Sequence, residues 1–211
     1  MRHAIRIAAL LCALLASAAA CGAAKGDPVA GREKAESERC LECHGSSGQG
    51  QGFSNGTDGK FARLGGQQAD YLVKQVRDFR NGTRRHEFMA MMANSISDTD
   101  LADIAAYFSA EGGMPSGAAQ AGRDQSAAQL YLHGDAARGI AACAACHGAD
   151  GQGVVGAAPV IGGQGLRYLA QQLANWRSGE RVNSAGGVMN QAAKTLSDAE
   201  IEALAQYVAG M

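Results

Sequence analysis

One five-residue signature occurs twice: residues 40–44 have the sequence Cys-Leu-Glu-Cys-His, and residues 143–147 have the sequence Cys-Ala-Ala-Cys-His. In such a segment the two thiols are spaced to bond covalently to the two vinyl groups of one haem, and the adjacent imidazole reaches its iron. Two copies predict two covalently bound haem c groups. The predicted attachment residues and iron ligands are Cys40, Cys43 and His44 for one haem and Cys143, Cys146 and His147 for the other.

Other chemistry also uses a pair of cysteines at this spacing. A bare Cys-x-x-Cys binds zinc, forms a redox-active dithiol or closes a disulfide. The histidine that directly follows the second cysteine in both copies favours haem attachment over these alternatives. Four of the six cysteines belong to the signatures, Cys12 lies in the predicted leader and Cys21 lies at the exit of that leader, so none is left for a structural disulfide.

The N-terminus is typical of an exported protein. A basic start precedes an apolar run over residues 7–15 and then small residues, which is the pattern of a secretory signal peptide. We expect residues 1–24 to be removed and the mature protein to reach the periplasm. In an alternative, Cys21 is the lipidated first residue and attaches the protein peripherally to a membrane.

Charge and composition exclude one class of partner. Loss of Arg2 and Arg6 with the leader changes the formal net charge from −1 to about −3, and the haem propionates make the surface more acidic. This charge argues against a nucleic-acid partner. Aromatic residues are only 5% of the chain, so a buried porphyrin in each domain would supply apolar volume that the side chains lack.

The similarity between the two halves continues well beyond the cysteines. Each half has a Gly-Gly-Gln element, at residues 65–67 and 162–164, followed four residues after the glutamine by a tyrosine. Each half ends with a predicted capping box, in which Ser97 or Ser197 is followed three residues later by an acid. The common order indicates a duplicated domain.

The helix after each capping box has apolar residues at i, i+3, i+4 and i+7, which is typical of an amphipathic helix. The two stripes are Leu101, Ile104, Ala105 and Phe108, and Ile201, Leu204, Ala205 and Val208. No strand-like alternation is present. We therefore expect an all-α protein with two tandem domains, residues 25–111 and 126–211, joined by a Gly- and Pro-containing linker over 112–125.

The repeat also predicts a second axial ligand for each iron. Met89 and Met189 each lie eight residues before the serine of the capping box. A thioether is a soft, neutral ligand that stabilises ferrous iron and raises the redox potential. Met91 and Met92 have no methionine at the matching positions, and we assign one of them to core packing.

Two further histidines are interpreted as surface residues. His86 lies three residues before Met89 and would give a bis-histidine iron, but its counterpart in the second half is not a histidine. His133 lies at the end of the opening helix of the second half. Arginines cluster before Met89, either as a docking patch for an acidic partner or as a solvated basic face; they are Arg77, Arg80, Arg84 and Arg85.

With these motifs in this order, the chain resembles the dihaem cytochrome c4 family over essentially its whole mature length. The resemblance implies two all-helical cytochrome c domains related by an approximate two-fold axis, with the haems near their interface. It also implies an electron-transfer protein and not an enzyme. Its partners would be redox proteins, with a membrane-bound complex as donor and a haem-copper oxidase as acceptor in a respiratory chain.

One position departs from the family pattern. Family domains carry a proline shortly before the Gly-Gly-Gln element, and its carbonyl accepts a hydrogen bond from the proximal imidazole. The second half keeps this residue as Pro159, whereas the first half has Ala62. Alanine keeps the backbone carbonyl but lacks the fixed φ of proline. We therefore expect a looser first haem pocket with a different redox potential.

Two other functions share these motifs. One is a dihaem electron-accepting subunit of a dehydrogenase, such as a sulfide-oxidising flavocytochrome. The other is a dihaem enzyme, a peroxidase or a thiosulfate-oxidising cytochrome, which needs an open or unusually ligated iron. Closure of both irons by methionine disfavours the enzyme, but the motifs do not separate a free carrier from a bound subunit.

Overall fold

The computed structural model describes residues 26–50, 60–114 and 124–211. In these ranges the chain forms ten α-helices and two short 3-10 turns, with isolated β-bridges and no strand. None of the helices described is long and apolar enough to cross a bilayer. The predicted signal peptide, Cys21 and most of the predicted linker lie outside the described residues.

The first domain is built around a close crossing of its first and last helices. Its helices are α1 (Pro28–Ser37), α2 (Cys40–His44), α3 (Ala69–Arg80), α4 (Glu87–Ser95) and α5 (Asp98–Ala110). Helix α1 approaches α5 at Gly31, where a Cβ would lie 1.9 Å from the carbonyl oxygen of Asp103. Helix α3 packs on α4 and α5. The core comprises Ala35, Leu72, Ile104, Ala105, Tyr107 and Phe108.

The second domain repeats this arrangement. Its helices are α6 (Gln125–His133), α7 (Ala144–His147), α8 (Leu166–Ser178), α9 (Val188–Ala193) and α10 (Asp198–Ala209), with 3-10 turns at Ala136–Arg138 and Ala185–Gly187. Helix α10 packs on α6 and α8, as α5 packs on α1 and α3. The larger members of its core are Leu130, Tyr131, Ile140, Leu169, Trp176, Leu196, Ile201, Leu204, Val208 and Met211.

The predicted closing helices are confirmed as α5 and α10. All eight residues of the two apolar stripes are buried, and both helices are N-capped by the expected serine. The box of α10 is complete, because Ser197 accepts from the backbone N–H of Glu200 and the Glu200 carboxylate accepts from the N–H of Ser197. In α5 the shorter Asp100 carboxylate accepts from the Ser97 hydroxyl at 2.8 Å.

The two domains meet through side chains at equivalent positions of the repeat. The backbones of Arg84 and Arg181 also pair as an isolated antiparallel β-bridge. Arg84 Nη2 donates to the hydroxyl of Tyr168 at 2.8 Å, and Arg181 Nη2 donates to the hydroxyl of Tyr71 at 3.2 Å. Both arginines are less than a tenth exposed. The two arginine–tyrosine bonds are equivalent when the domains are exchanged, as the expected approximate two-fold requires.

The interface corrects the view of the arginine cluster as a single docking patch. Arg84 is buried between the domains. Arg80 donates to the backbone carbonyls of Ala93 and Ile96 and pairs with Asp98 at 2.6 Å. Because these contacts join α3 to the end of α4 and the start of α5, two of the four arginines are structural.

Candidate haem sites and axial ligands

Both Cys-x-x-Cys-His segments fold as a single helical turn. In the second domain the N–H of His147 bonds to the carbonyl of Cys143 at 3.0 Å, so the first cysteine and the histidine lie one turn apart on the same side. In the first domain the whole segment forms α2. One turn of helix therefore presents the thiols and the imidazole of each segment together.

The four thiols carry no disulfide in the described chain. All are free, and burial raises the pKa of Cys40 and of Cys143 to about 11. The described residues also contain no group of three or more His, Cys, Asp or Glu side chains placed to hold a metal ion.

Each histidine of the signatures is oriented by one backbone carbonyl. Nδ1 of His44 lies 2.8 Å from the carbonyl oxygen of Ala62, and Nδ1 of His147 lies 3.0 Å from that of Pro159. Burial lowers the pKa of both imidazoles, which favours the neutral form. A neutral imidazole that donates from Nδ1 offers the lone pair of Nε2 to a metal. The backbone carbonyl of Ala62 thus makes the same contact as that of Pro159.

The two methionines of the repeat occupy equivalent places. Met89 lies in the first turn of α4 and Met189 in the first turn of α9, and both are partly buried. Met91 is 59% exposed and Met92 is partly buried. Neither belongs to the described hydrophobic core of the first domain, so the assignment of one of them to core packing is not supported. The assignment of Met89 and Met189 as axial ligands remains a proposal.

Neither His86 nor His133 belongs to these sites. His86 is exposed and caps α4, because its Nδ1 accepts from the backbone N–H of Met89 at 3.2 Å. His133 is exposed at the end of α6. Both positions agree with their interpretation as surface residues.

The donor set fits haem c in each domain. Two free thiols and an oriented neutral imidazole stand on one turn of helix, and a soft thioether is available from the repeat. In the first domain, Nε of Arg63 is buried without a hydrogen-bond partner, one residue after the carbonyl that orients His44. A buried donor of this kind suits a haem propionate.

The residues that join the domains are not among the predicted site residues. Gln67 and Gln164, which end the Gly-Gly-Gln elements, are buried, and so are the two bridging arginines. The signal was present, because Arg84 and Arg181 each follow the tyrosine of the repeat by thirteen residues. Equal spacing shows that a residue is repeated, but not which domain its side chain contacts.

Comparison with known proteins places both domains in one family. The family model for cytochrome c matches residues 28–110 and 133–211. Cytochrome c4 of Pseudomonas aeruginosa is 37% identical over 190 residues, which cover 89% of this chain and 90% of that protein. A thiosulfate dehydrogenase electron acceptor of Stutzerimonas stutzeri is 37% identical over 177 residues, which cover 82% of this chain and 78% of that protein.

Solved structures agree with these relatives. Reduced recombinant cytochrome c4 from Pseudomonas stutzeri superimposes with a TM-score of 0.78 at 35% identity and covers 88% of this chain and 99% of that one. Thiosulfate dehydrogenase from Marichromatium purpuratum gives a TM-score of 0.75 at 31% identity over 86% of this chain and 40% of that one. The chain therefore belongs to the cytochrome c4 family, with one covalently bound haem c in each of its two cytochrome c domains.

Proposed function

We propose that this electron-transfer protein carries single electrons in the periplasm, from a membrane-bound donor complex toward a haem-copper terminal oxidase. When bound, each haem iron supplies a one-electron couple. His44 with Met89 and His147 with Met189 would hold the irons in nearly the same coordination in both redox states, which keeps reorganisation on electron transfer small.

The observation that carries this proposal is the position of the two histidine-binding loops. The carbonyls that orient His44 and His147 belong to loops that both contact the opposite domain. The neighbouring carbonyl of Ala158 also accepts from Gln68 of the first domain at 2.9 Å. Because the two loops meet at one interface, the proposed transfer of an electron between the domains crosses that interface.

Reoxidation by native membranes tests the proposal. The fully reduced protein should be oxidised rapidly by membranes that contain an active haem-copper oxidase, and cyanide should abolish this oxidation. Protein alone in aerated buffer is the control. Oxidation at the same slow rate with and without membranes would contradict the proposed acceptor.

A second candidate function is electron acceptor of a thiosulfate dehydrogenase. It is favoured by the Stutzerimonas stutzeri relative and by the thiosulfate dehydrogenase structure. Thiosulfate plus a purified thiosulfate dehydrogenase should then reduce both haems within the turnover time of the dehydrogenase. Thiosulfate alone is the control, since reduction without the dehydrogenase would make this chain an enzyme and not an acceptor.

A permanent subunit and a free carrier are separated by purification. If the protein serves as the cytochrome subunit of a flavocytochrome, it should co-elute with a flavoprotein from native extracts. Isolation as a lone dihaem chain would exclude that arrangement. Mass spectrometry of the mature N-terminus in the same preparation tests both removal of the leader and lipidation of Cys21.

A further inference from the structure

Two buried glutamines reach across the domain interface and bind the backbone on the other side. Gln67 Nε2 donates to the carbonyl of Val160 at 2.8 Å, and Gln67 Oε1 accepts from the N–H of Val160 at 3.0 Å. Gln164 does the same with both backbone groups of Arg63, at 3.0 and 2.7 Å. The exposed fractions are 3% for Gln67 and 4% for Gln164. Each amide thus bonds through both its oxygen and its nitrogen to one residue of the opposite domain.

The peptide groups that they bind also orient the histidines. The N–H of Val160 and the carbonyl of Pro159 belong to one peptide unit, and that carbonyl lies 3.0 Å from Nδ1 of His147. The N–H of Arg63 and the carbonyl of Ala62 form the matching unit at His44. Because a peptide unit is planar, holding its N–H fixes the direction of its C=O.

We propose that Gln67 is a positioning residue for the haem of the second domain and that Gln164 is a positioning residue for the haem of the first. This inference rests on the axial roles proposed for His44 and His147. Each histidine is held by its own domain through one carbonyl, and that carbonyl is held in turn by the other domain.

The direction of the effect follows from hydrogen-bond polarisation. An acceptor on the N–H of a peptide raises the negative charge on its C=O, which strengthens the bond that the carbonyl accepts. A stronger bond from Nδ1–H makes the imidazole a better donor to iron and favours the ferric state. Each glutamine therefore lowers the potential of the haem in the opposite domain.

Val160 and Arg63 differ completely in their side chains, yet they are bound in the same way. Each glutamine side chain binds only backbone groups of Val160 or Arg63. The contact is therefore the same in both loops although their side chains differ. The oxygen of each glutamine is itself fixed by a second donor, the N–H of Gln68 at 3.1 Å or of Gly165 at 2.9 Å. Both amides are therefore held in one orientation.

The test is a crossed pair of variants in the holoprotein. Gln67→Met retains the volume but removes the acceptor for Val160 N–H. The haem of the second domain should shift toward ferrous iron by roughly two- to five-fold in its redox equilibrium. The haem of the first domain should be unchanged. Gln164→Met should give the mirror result, and Gln171→Met, on the exposed face of α8, is the matched control.

Two readouts separate positioning from loosening of the interface. In the ferrous protein labelled with 15N-histidine, Gln67→Met should move the Nδ1–H resonance of His147 to a position of weaker hydrogen bonding and leave that of His44 in place. Gln67→Glu, which keeps an oxygen acceptor for Val160 N–H, should not raise the potential of the second haem.

Three outcomes would overturn the assignment: a shift confined to the domain that carries the substitution, an equal shift of both haems, or no shift. The wild-type spectrum also tests the assumption that His44 and His147 are iron ligands. If the ferrous protein shows no iron-bound imidazole from His44 or His147, the proposed ligands are wrong, whatever the glutamine variants do.

Discussion

The imidazole of each signature histidine is held by one main-chain carbonyl, and the residue that supplies this carbonyl differs between the domains. Ala62 and Pro159 place their oxygens 2.8 and 3.0 Å from the respective Nδ1 atoms. The contact depends on the backbone and not on the side chain, so the expected difference between the two pockets does not extend to this bond. What proline adds is a restricted φ in the unfolded chain.

Pro159→Ala should therefore destabilise the protein by about 0.4–1 kcal/mol, chiefly because the unfolded chain gains conformational freedom. The bond between His147 and the carbonyl should persist, with little change in the potential of the second haem. Chemical denaturation and redox titration of the same preparation measure the two effects. Equal stability of variant and parent would contradict the entropic role of the ring.

Replacement of the predicted methionine ligands tests the coordination directly. Met89→Ala should abolish the weak sulfur-to-ferric-iron band of one haem and lower the potential of that haem, because a soft ligand that favours ferrous iron is lost. Met189→Ala should do the same for the other haem. Met92→Ala, on the same helix as Met89, is the control and should retain both bands. Loss of neither band in the first two variants would refute the ligand assignment.

At the scale of elements, the closing helices α5 and α10 show how equivalent caps acquire different charge partners. Asp100 pairs with Lys34 of α1 at 2.9 Å, whereas Glu200 pairs with Arg138 at 2.6 Å. Each pair connects the first turn of the closing helix to the opening segment of its own domain. The capping residues therefore form the first turn of α5 and α10 and also attach each helix to the opening segment of its domain.

Glu200→Gln should reduce stability only above acidic pH. Hydrogen bonds from Arg138 and from the Ser197 backbone lower the pKa of Glu200 from 4.5 to about 2. A carboxylate whose pKa falls on folding stabilises the fold above its unfolded pKa and loses that contribution as the pH drops through its folded pKa. The variant should lose at most about 0.5–1 kcal/mol at neutral pH, since the pair is partly exposed.

Thermal unfolding of parent and Glu200→Gln protein across pH 2–7 measures this difference. The two curves should converge between pH 4.5 and 2, and glutamine retains the oxygen that the capping box needs. Glu202→Gln, on the exposed face of α10, should leave the pH dependence unchanged. A constant difference at every pH would show that the charge of Glu200 is irrelevant.

In the whole molecule, two buried arginines, Arg84 and Arg181, join the domains. Within the described interface, neither guanidinium group directly contacts a carboxylate. Arg84 Nη1 donates to Gln75 Oε1 at 2.8 Å and Arg84 Nη2 to the hydroxyl of Tyr168. Arg181 binds Gln75 and Gln172 at 2.9 and 2.7 Å. Neutral oxygens thus accept from both guanidinium groups, and the docked domains keep two buried positive charges at their interface.

Arg84→Gln should weaken the docking of the domains and change one potential. Loss of buried hydrogen bonds to a charged group should cost about 2–3 kcal/mol. The charge of Arg84 also acts on the His44 imidazole, so its removal should lower the potential of the first haem, because a nearby cation favours the ferrous state. Denaturation and redox titration measure both effects. Arg85→Gln, at the exposed neighbouring residue, is the control, and an equal effect of both variants would refute a specific role for Arg84.

Features with local causes could be predicted from the amino-acid sequence. These features are haem attachment, the capped closing helices and their buried stripes. Each depends on residues within a few positions of one another, and each occurs in both halves of the chain. The partners of Gln67 and Arg84 were decided by the tertiary structure. Gln67 lies 93 residues from Val160, and the same Gly-Gly-Gln element is compatible with contacts inside either domain or between them. Only docking of the two folded domains selects the partner, because burial of a polar side chain requires a hydrogen-bonding group at the place where it ends.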